Sequence, residues 1–202
     1  DVLAERGVLL LTDPGNEEKF FARENGKPYR GITSYPIQVD GRSDIGGRFT
    51  APHTGIFFLP FYFLAGQDLN RVKTAYEAYR AHIDTVLPAV LAQAEESARR
   101  GDQRFAIILE EPLASAMGDV PWIHQLSHES LGNKKDGFSP VVMVASRPGD
   151  VPANLEFRQI QLNLPDGDPV VRMMVAAYAL ERFFAHIGVR QHLNAYDQES
   201  VD

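Results

Sequence analysis

Apolar and polar residues divide this chain into two kinds of segment. Short, mostly apolar runs next to turn residues are typical of buried strands. Longer stretches with apolar residues every three or four positions are typical of amphipathic helices. The short runs predict strands at Val8–Leu11, Tyr35–Val39, Phe105–Leu109, Pro140–Ala145 and Phe157–Leu162.

The longer stretches predict helices, and capping residues indicate where they start and stop. Asp68 is placed to cap the start of the longest helix, and Gly188 to end the last one. Pro88 lies inside the longest stretch and predicts a kink or a break. The predicted helices cover 16–25, 52–65, Leu69–Arg100, Met117–Leu131 and Val170–His186.

Strands and helices alternate along the whole chain. This order predicts an α/β fold, a three-layer αβα sandwich with a mainly parallel sheet. No internal repeat, low-complexity tract or long linker interrupts it, so we expect one domain over residues 1–202. In such sheets ligands usually bind beyond the carboxyl ends of the strands.

The charge balance argues against two classes of partner. The 202 residues carry 27 acidic and 20 basic side chains, a net charge of −7. The longest basic runs are the pairs Arg99-Arg100 and Lys134-Lys135, so no basic patch offsets the acidic total. We therefore expect neither a nucleic acid nor an anionic membrane as partner.

The chain has no cysteine, which excludes disulfides, cysteine-ligated zinc, iron–sulfur clusters and thiol nucleophiles. It also has no apolar run long enough to span a membrane and no visible signal peptide. These features predict a cytoplasmic protein. The chain begins at Asp1 rather than Met, and we expect it to be a piece of a longer protein.

The loop Gly46-Gly47-Arg48 is the first candidate for chemistry. Two glycines let a backbone approach a ligand closely, and the guanidinium offers a fixed fork to an oxyanion. From spacing alone, a tight turn with a solvated arginine explains the same residues better. No glycine pattern of the nucleotide-binding kind is present.

The segment around Glu129 is the second candidate. Glu129 is predicted near a helix C-terminus, where the helix dipole disfavours an anion and a raised pKa would suit a general base. On this evidence alone, a surface glutamate without a catalytic role is the simpler interpretation of Glu129. His124 and His128 share a helix face and allow a metal site, although a wall or surface role is favoured. A Ser-His-Asp triad stays open, without a Gly-x-Ser-x-Gly motif.

Read together and in order, four segments resemble the second sugar-isomerase (SIS) domain of glucose-6-phosphate isomerase. They are most similar to the isomerase part of bacterial bifunctional transaldolase/glucose-6-phosphate isomerases. The likeness spans nearly the whole chain. It consists of Thr-Asp-Pro-Gly at 12–15, Ile-Gly-Gly-Arg-Phe-Thr at 45–50, Trp-Ile-His-Gln-Leu-Ser-His-Glu-Ser-Leu-Gly-Asn at 122–133, and Asn-Ala-Tyr-Asp-Gln at 194–198.

The resemblance implies a flavodoxin-like SIS fold and an enzyme of glycolysis and gluconeogenesis. The family interconverts glucose 6-phosphate and fructose 6-phosphate through a cis-enediol, without metal or organic cofactor. By position, Glu129 matches the base that moves the proton, and Arg48 matches the arginine that stabilises the enediolate. Gly46 and Gly47 shape the loop that carries Arg48, and Gln198 matches an active-site glutamine that contacts the substrate.

The chain departs from the family pattern at several points. Asn133 stands where the family has lysine, Ala195 where it has proline, and no His-Gln-Gly motif for ring opening occurs between Glu129 and Leu164. A ring-opening lysine would fall beyond Asp202. The phosphate-binding loop of the family lies in the first SIS domain. The resemblance thus implies three partners: a phosphosugar, that missing N-terminal SIS domain, and a second copy in a homodimer.

Three alternatives remain open at this point. The departures from the family motifs at Asn133 and Ala195 would suit a sugar-phosphate-binding or regulatory module without catalytic activity. A metal-dependent hydrolase would use His124 and His128. An isomerase of another sugar phosphate, such as mannose 6-phosphate, would share the same motifs. Whether a transaldolase domain precedes the chain is also open.

Overall fold

The computed structural model describes residues 7–11, 32–36, 55–118, 122–132 and 138–193. By its internal contacts the chain divides into two compact units, Asp1–Asp68 and Leu69–Asp202. The division coincides with the predicted start of the longest helix.

The first unit contains a pair of parallel strands and one apolar helix in its described part. Strand β1 (Gly7–Leu11) confirms the first predicted strand, and it pairs in parallel with β2 (Ile32–Pro36). Strand β2 starts three residues before the predicted Tyr35, because the β-branched Ile32 and Thr33 also suit a strand. Helix α1 (Gly55–Leu64) lies within the predicted apolar helix. The helix predicted at 16–25 lies outside the described residues.

The second unit is built around a three-stranded parallel sheet. Its strands follow the order β4-β3-β5, and both pairs are parallel. The mixed α/β class with parallel sheets is therefore confirmed, although this sheet is small. Its elements are α2 (Leu69–Arg100), β3 (Arg104–Ile108), α3 (Leu113–Gly118), α4 (Trp122–Leu131), β4 (Val141–Ala145), β5 (Arg158–Gln161) and α5 (Pro169–Arg190).

The central strand β3 is covered on both of its faces, as its unbroken apolar sequence predicts. On one face Phe105 packs edge-on against Phe183 and Phe184 of α5, with ring centroids 5.5 and 5.9 Å apart. On the other face Ala106 and Ile108 form a small cluster with Ala145, and partly buried Met143, Val151 and Phe157 pack against it. The two faces alternate along the strand because successive side chains point in opposite directions.

Helices α2 and α5 form the largest interface between elements of this unit. Tyr79 of α2 is fully buried and meets Tyr178 of α5 edge-on, at 6.1 Å between ring centroids. Burial raises the pKa of the Tyr79 phenol well above its ordinary value. None of the described helices is long and apolar enough to cross a membrane.

Two predicted helix bounds were wrong, and the break that Pro88 allowed does not occur. Helix α2 is one helix through Pro88, because buried residues on both sides, such as Val86 and Val90, keep it packed. A kink at Pro88, the other predicted outcome, stays a prediction. The stretch predicted as one helix, Met117–Leu131, is two helices, α3 and α4, and in the sequence Pro121 lacks the amide hydrogen that a continuous helix needs. Helix α5 passes Gly188, which is buried within it, and ends at Arg190.

A carboxylate joins α2 to α5 near the ends of both helices. Glu95 of α2 accepts hydrogen bonds from His186 Nε2 at 2.9 Å and from an Arg190 guanidinium nitrogen at 2.6 Å. These two bonds hold the pKa of the Glu95 carboxyl below its ordinary value.

The outer edge of β5 is closed by a side chain from α2. The Gln161 backbone N–H donates to Gln93 Oε1, and Gln93 Nε2 donates to the Gln161 carbonyl, both at 3.0 Å. The Gln93 amide therefore takes the place of a neighbouring strand. This pairing satisfies backbone groups that an edge strand would otherwise leave to solvent or to another chain.

We predict that Gln93→Met lowers the free energy of unfolding by about 1–3 kcal/mol, because methionine keeps the length and helix propensity but removes both hydrogen bonds. Urea denaturation monitored by circular dichroism measures this change. Glu77→Met, at an exposed position of the same helix, is the control and should change stability by less than about 0.5 kcal/mol. A loss no larger than that of the control would contradict the assigned role of Gln93.

We predict that the stability lost in Glu95→Gln depends on pH. The folded-state pKa of Glu95 is depressed, so its stabilising contribution is present above the unfolded value of about 4.5 and is lost as the pH falls through the folded pKa. Urea midpoints of the wild type and the variant should differ at pH 7 and converge as the pH falls below about 4.5. A difference that stays constant over this range would show that the carboxylate charge does not matter.

Candidate functional site

Helix α4 carries Glu129, the one predicted site residue that lies among the described residues. One side of the helix is buried through Ile123, Leu126 and Leu131. Since residues four apart share a helix face, His124 lies above His128, and Gln125 above Glu129. These four polar side chains occupy the side of α4 that faces away from the core, and Glu129 is half-buried.

Glu129 is held by a neighbour one turn earlier on the same helix. Gln125 Nε2 donates a hydrogen bond to Glu129 Oε1 at 3.0 Å. The helix ends two residues later at Leu131, where the Gly132 N–H donates to the His128 carbonyl at 2.9 Å. The expected place of Glu129 in the last turn of a helix is thus confirmed. This hydrogen bond restrains the carboxylate, and a base that transfers a proton to a bound substrate must be positioned.

The two histidines of α4 lie close together. Their ring centroids are 6.3 Å apart and the rings are nearly perpendicular. Partial burial, and to a smaller extent the neighbouring His124, lower the pKa of His128 and so favour the neutral imidazole. Within the part of the chain that the structure describes, no group of three His, Cys, Asp or Glu side chains is arranged to hold a metal ion.

An open polar cleft of about 480 Å³ lies beside α4, along strand β4. His124 lines it together with Glu111, which follows β3, and with Ser146 and Asp150, which follow β4. Glu111 accepts a hydrogen bond from the Ser115 hydroxyl at 2.8 Å, and Asp150 accepts one from the Ser146 hydroxyl at 2.9 Å. The cleft therefore reaches the carboxyl ends of two parallel strands, where α/β proteins commonly bind ligands.

The chemistry of this cleft suits a ligand rich in hydroxyl groups. Carboxylates accept hydrogen bonds from hydroxyls, and serine and histidine side chains both donate and accept. Glu129 is not among the residues that line the cleft. Glu129 lies farther along α4 than His124, and His124 is the residue of α4 that lines the cleft.

The other predicted site residues lie outside the described residues. These are Gly46, Gly47 and Arg48 of the glycine-bearing loop, and Gln198 near the end of the chain. Whether they meet Glu129 stays a prediction.

Sequence reasoning missed the polar cleft. A signal for it was present, because acidic and hydroxyl side chains follow two apolar strands: Glu110 and Glu111 come after β3, and Ser146 comes after β4. The rule that ligands bind at the carboxyl ends of parallel strands would have selected these positions.

Comparison with known proteins gave no relative: no family model, no curated protein and no solved structure matches this chain.

We predict that His124→Asn raises the pKa of His128 partway toward its ordinary value of about 6.5. The removal of a neighbouring imidazole takes away a positive charge that disfavours protonation, whereas burial, the larger cause, remains. Titration of the imidazole signals by NMR measures the pKa of His128 in the wild type and in the variant. His192→Asn, at an exposed position after α5, is the control. An unchanged pKa of His128 in His124→Asn would mean that the two rings do not interact.

Proposed function

We propose that this chain is the part of an aldose–ketose isomerase that carries its catalytic base, and that the enzyme interconverts glucose 6-phosphate and fructose 6-phosphate. The observation that supports this most is the placement of Glu129. Within the segment 122–133 that resembles the isomerase family, this carboxylate faces away from the core, in the last turn of α4, and is oriented by Gln125. The parallel α/β fold is compatible with the same proposal.

In the proposed reaction Glu129 moves one proton between neighbouring carbons. Its carboxylate removes the proton from C2 of the open-chain aldose, and the electrons of the C–H bond form the C1–C2 double bond of an enediolate. After a proton moves from the C2 hydroxyl to the C1 oxygen, the protonated Glu129 returns its proton to C1, which gives the ketose. The hydrogen bond from Gln125 to Glu129 Oε1 restrains the carboxylate while it transfers the proton.

The negative charge of the enediolate needs a partner in the transition state. By resemblance this partner is Arg48, carried by the loop with Gly46 and Gly47, while Gln198 contacts the sugar. The polar cleft beside α4 carries carboxylates and hydroxyls that match sugar hydroxyl groups, and it would hold the part of the sugar chain away from the carbons that Glu129 contacts.

The phosphate of the substrate requires cationic or amide donors, and in the family these lie in another SIS domain. We therefore propose that this chain works together with such a domain, in a cytoplasmic homodimer. Binding energy from the remote phosphate helps to hold the reacting carbons against the base. The 202-residue chain alone should accordingly turn over far more slowly than the full-length polypeptide that contains it.

The test is the conversion of fructose 6-phosphate to glucose 6-phosphate by the full-length polypeptide, comparing the wild type with Glu129→Gln. We expect kcat to fall by roughly 10²–10⁴-fold, because glutamine keeps the shape but cannot accept the proton. Glu77→Gln makes the same change on the surface of α2, where Glu77 pairs with Lys73 at 3.8 Å, and should leave kcat unchanged.

Two results would count against the proposal. Full activity of Glu129→Gln would show that the base lies elsewhere. No activity of the wild type, with fructose 6-phosphate still bound, would favour a regulatory module that binds sugar phosphates without converting them.

A further inference from the structure

A second cleft, apolar in character, lies on the other side of the segment that follows β3. Its volume is about 200 Å³. One wall is formed by Pro112, Leu113 and Ala116. The other wall comes from the first turns of α5 and consists of Pro169, Val170 and Met173. Among the described residues, Glu129 does not line it.

One charged group, Arg172, stands in this apolar wall. Its side chain is only 15% exposed, and one guanidinium nitrogen donates to Glu110 Oε2 at 3.0 Å. The Nε–H is buried without a hydrogen-bond partner, and within the described part of the chain Glu110 is the one carboxylate paired with this arginine. A guanidinium has five N–H donors in a planar fork, and the buried Nε–H of Arg172 can still donate to an incoming hydrogen-bond acceptor.

Glu110 is the carboxylate that pairs with Arg172, and two carboxylates nearby in sequence accept hydrogen bonds from other donors. Asp168 is engaged at the start of α5, where it accepts from the Val170 N–H at 2.8 Å. Glu111 is engaged by the Ser115 hydroxyl at 2.8 Å. Glu110 does pair with Arg172, but its side chain is 78% exposed, and ion pairs with such exposed partners are weak. An incoming carboxylate would therefore compete with one weakly held group.

We propose that this cleft binds a small monocarboxylate with an aromatic or branched aliphatic body. The body would lie against Leu113, Val170 and Met173, and the carboxylate would take the fork of Arg172 in place of Glu110. The size agrees, because an apolar cavity of about 150 Å³ already admits benzene. The start of α5 adds a favourable field for a negative charge.

The test is titration of the 202-residue chain with benzoate, followed by amide chemical shifts in NMR spectra. Benzyl alcohol, of nearly the same shape and without charge, is the comparison ligand. We expect benzoate to bind at least about tenfold more tightly than benzyl alcohol, and Arg172→Met to remove that advantage. Glu110→Gln should tighten benzoate binding, because it removes the competing carboxylate.

A further variant tests the location and does not depend on the stability of Arg172→Met. Ala116→Phe fills the mouth of the cleft from an exposed position and should abolish binding of both ligands. Ala81→Phe, at an exposed alanine of α2, is the matched control and should bind as the wild type does. The proposal is overturned if benzoate shows no saturable binding, if benzyl alcohol binds equally well, or if Ala116→Phe leaves benzoate binding unchanged.

Discussion

Burial of the central strand β3 on both faces is the constraint on which the second unit depends. Four successive residues, Phe105 to Ile108, are buried, and each of the three large side chains among them contributes roughly 1.5–3 kcal/mol from the apolar surface it removes from water. One face requires the phenylalanines of α5, and α5 in turn packs along α2. The other face requires β4 and the loop residues Val151 and Phe157. The strand thus determines where the helices and the loop must lie.

The chain that leaves β3 separates two clefts with different chemistry. Consecutive glutamates point to different partners: Glu110 pairs with Arg172 beside the apolar cleft, and Glu111 binds Ser115 in the polar cleft. Helix α4 borders the polar cleft through His124 and carries the proposed base, Glu129. Both proposed binding sites therefore rest on the same short segment after β3, at the end of the sheet where α/β proteins usually place ligands.

Much of this fold follows from the sequence because the relevant forces are local. Continuous apolar runs located β3 and β4 within one residue, and Leu69–Arg100 was predicted with its observed bounds. Tertiary packing outweighs local preference in two helices: α5 continues past the buried Gly188, where the sequence predicted its end, and α2 continues through Pro88 without a break. The place of Glu129 at the end of α4 was predictable. The Gln93 bridge and the Arg172 cleft were not, because they join residues far apart in sequence.

The proposed isomerase depends on the transfer of a carbon-bound proton by Glu129, and hydrogen exchange with solvent reports on this step. A carboxylic acid formed during the reaction can exchange its proton with water before returning it, so glucose 6-phosphate recovered from D₂O should carry deuterium at C2. We expect incorporation by the full-length wild-type polypeptide and none by Glu129→Gln under the same conditions. Incorporation at an equal rate by Glu129→Gln would contradict this role of Glu129.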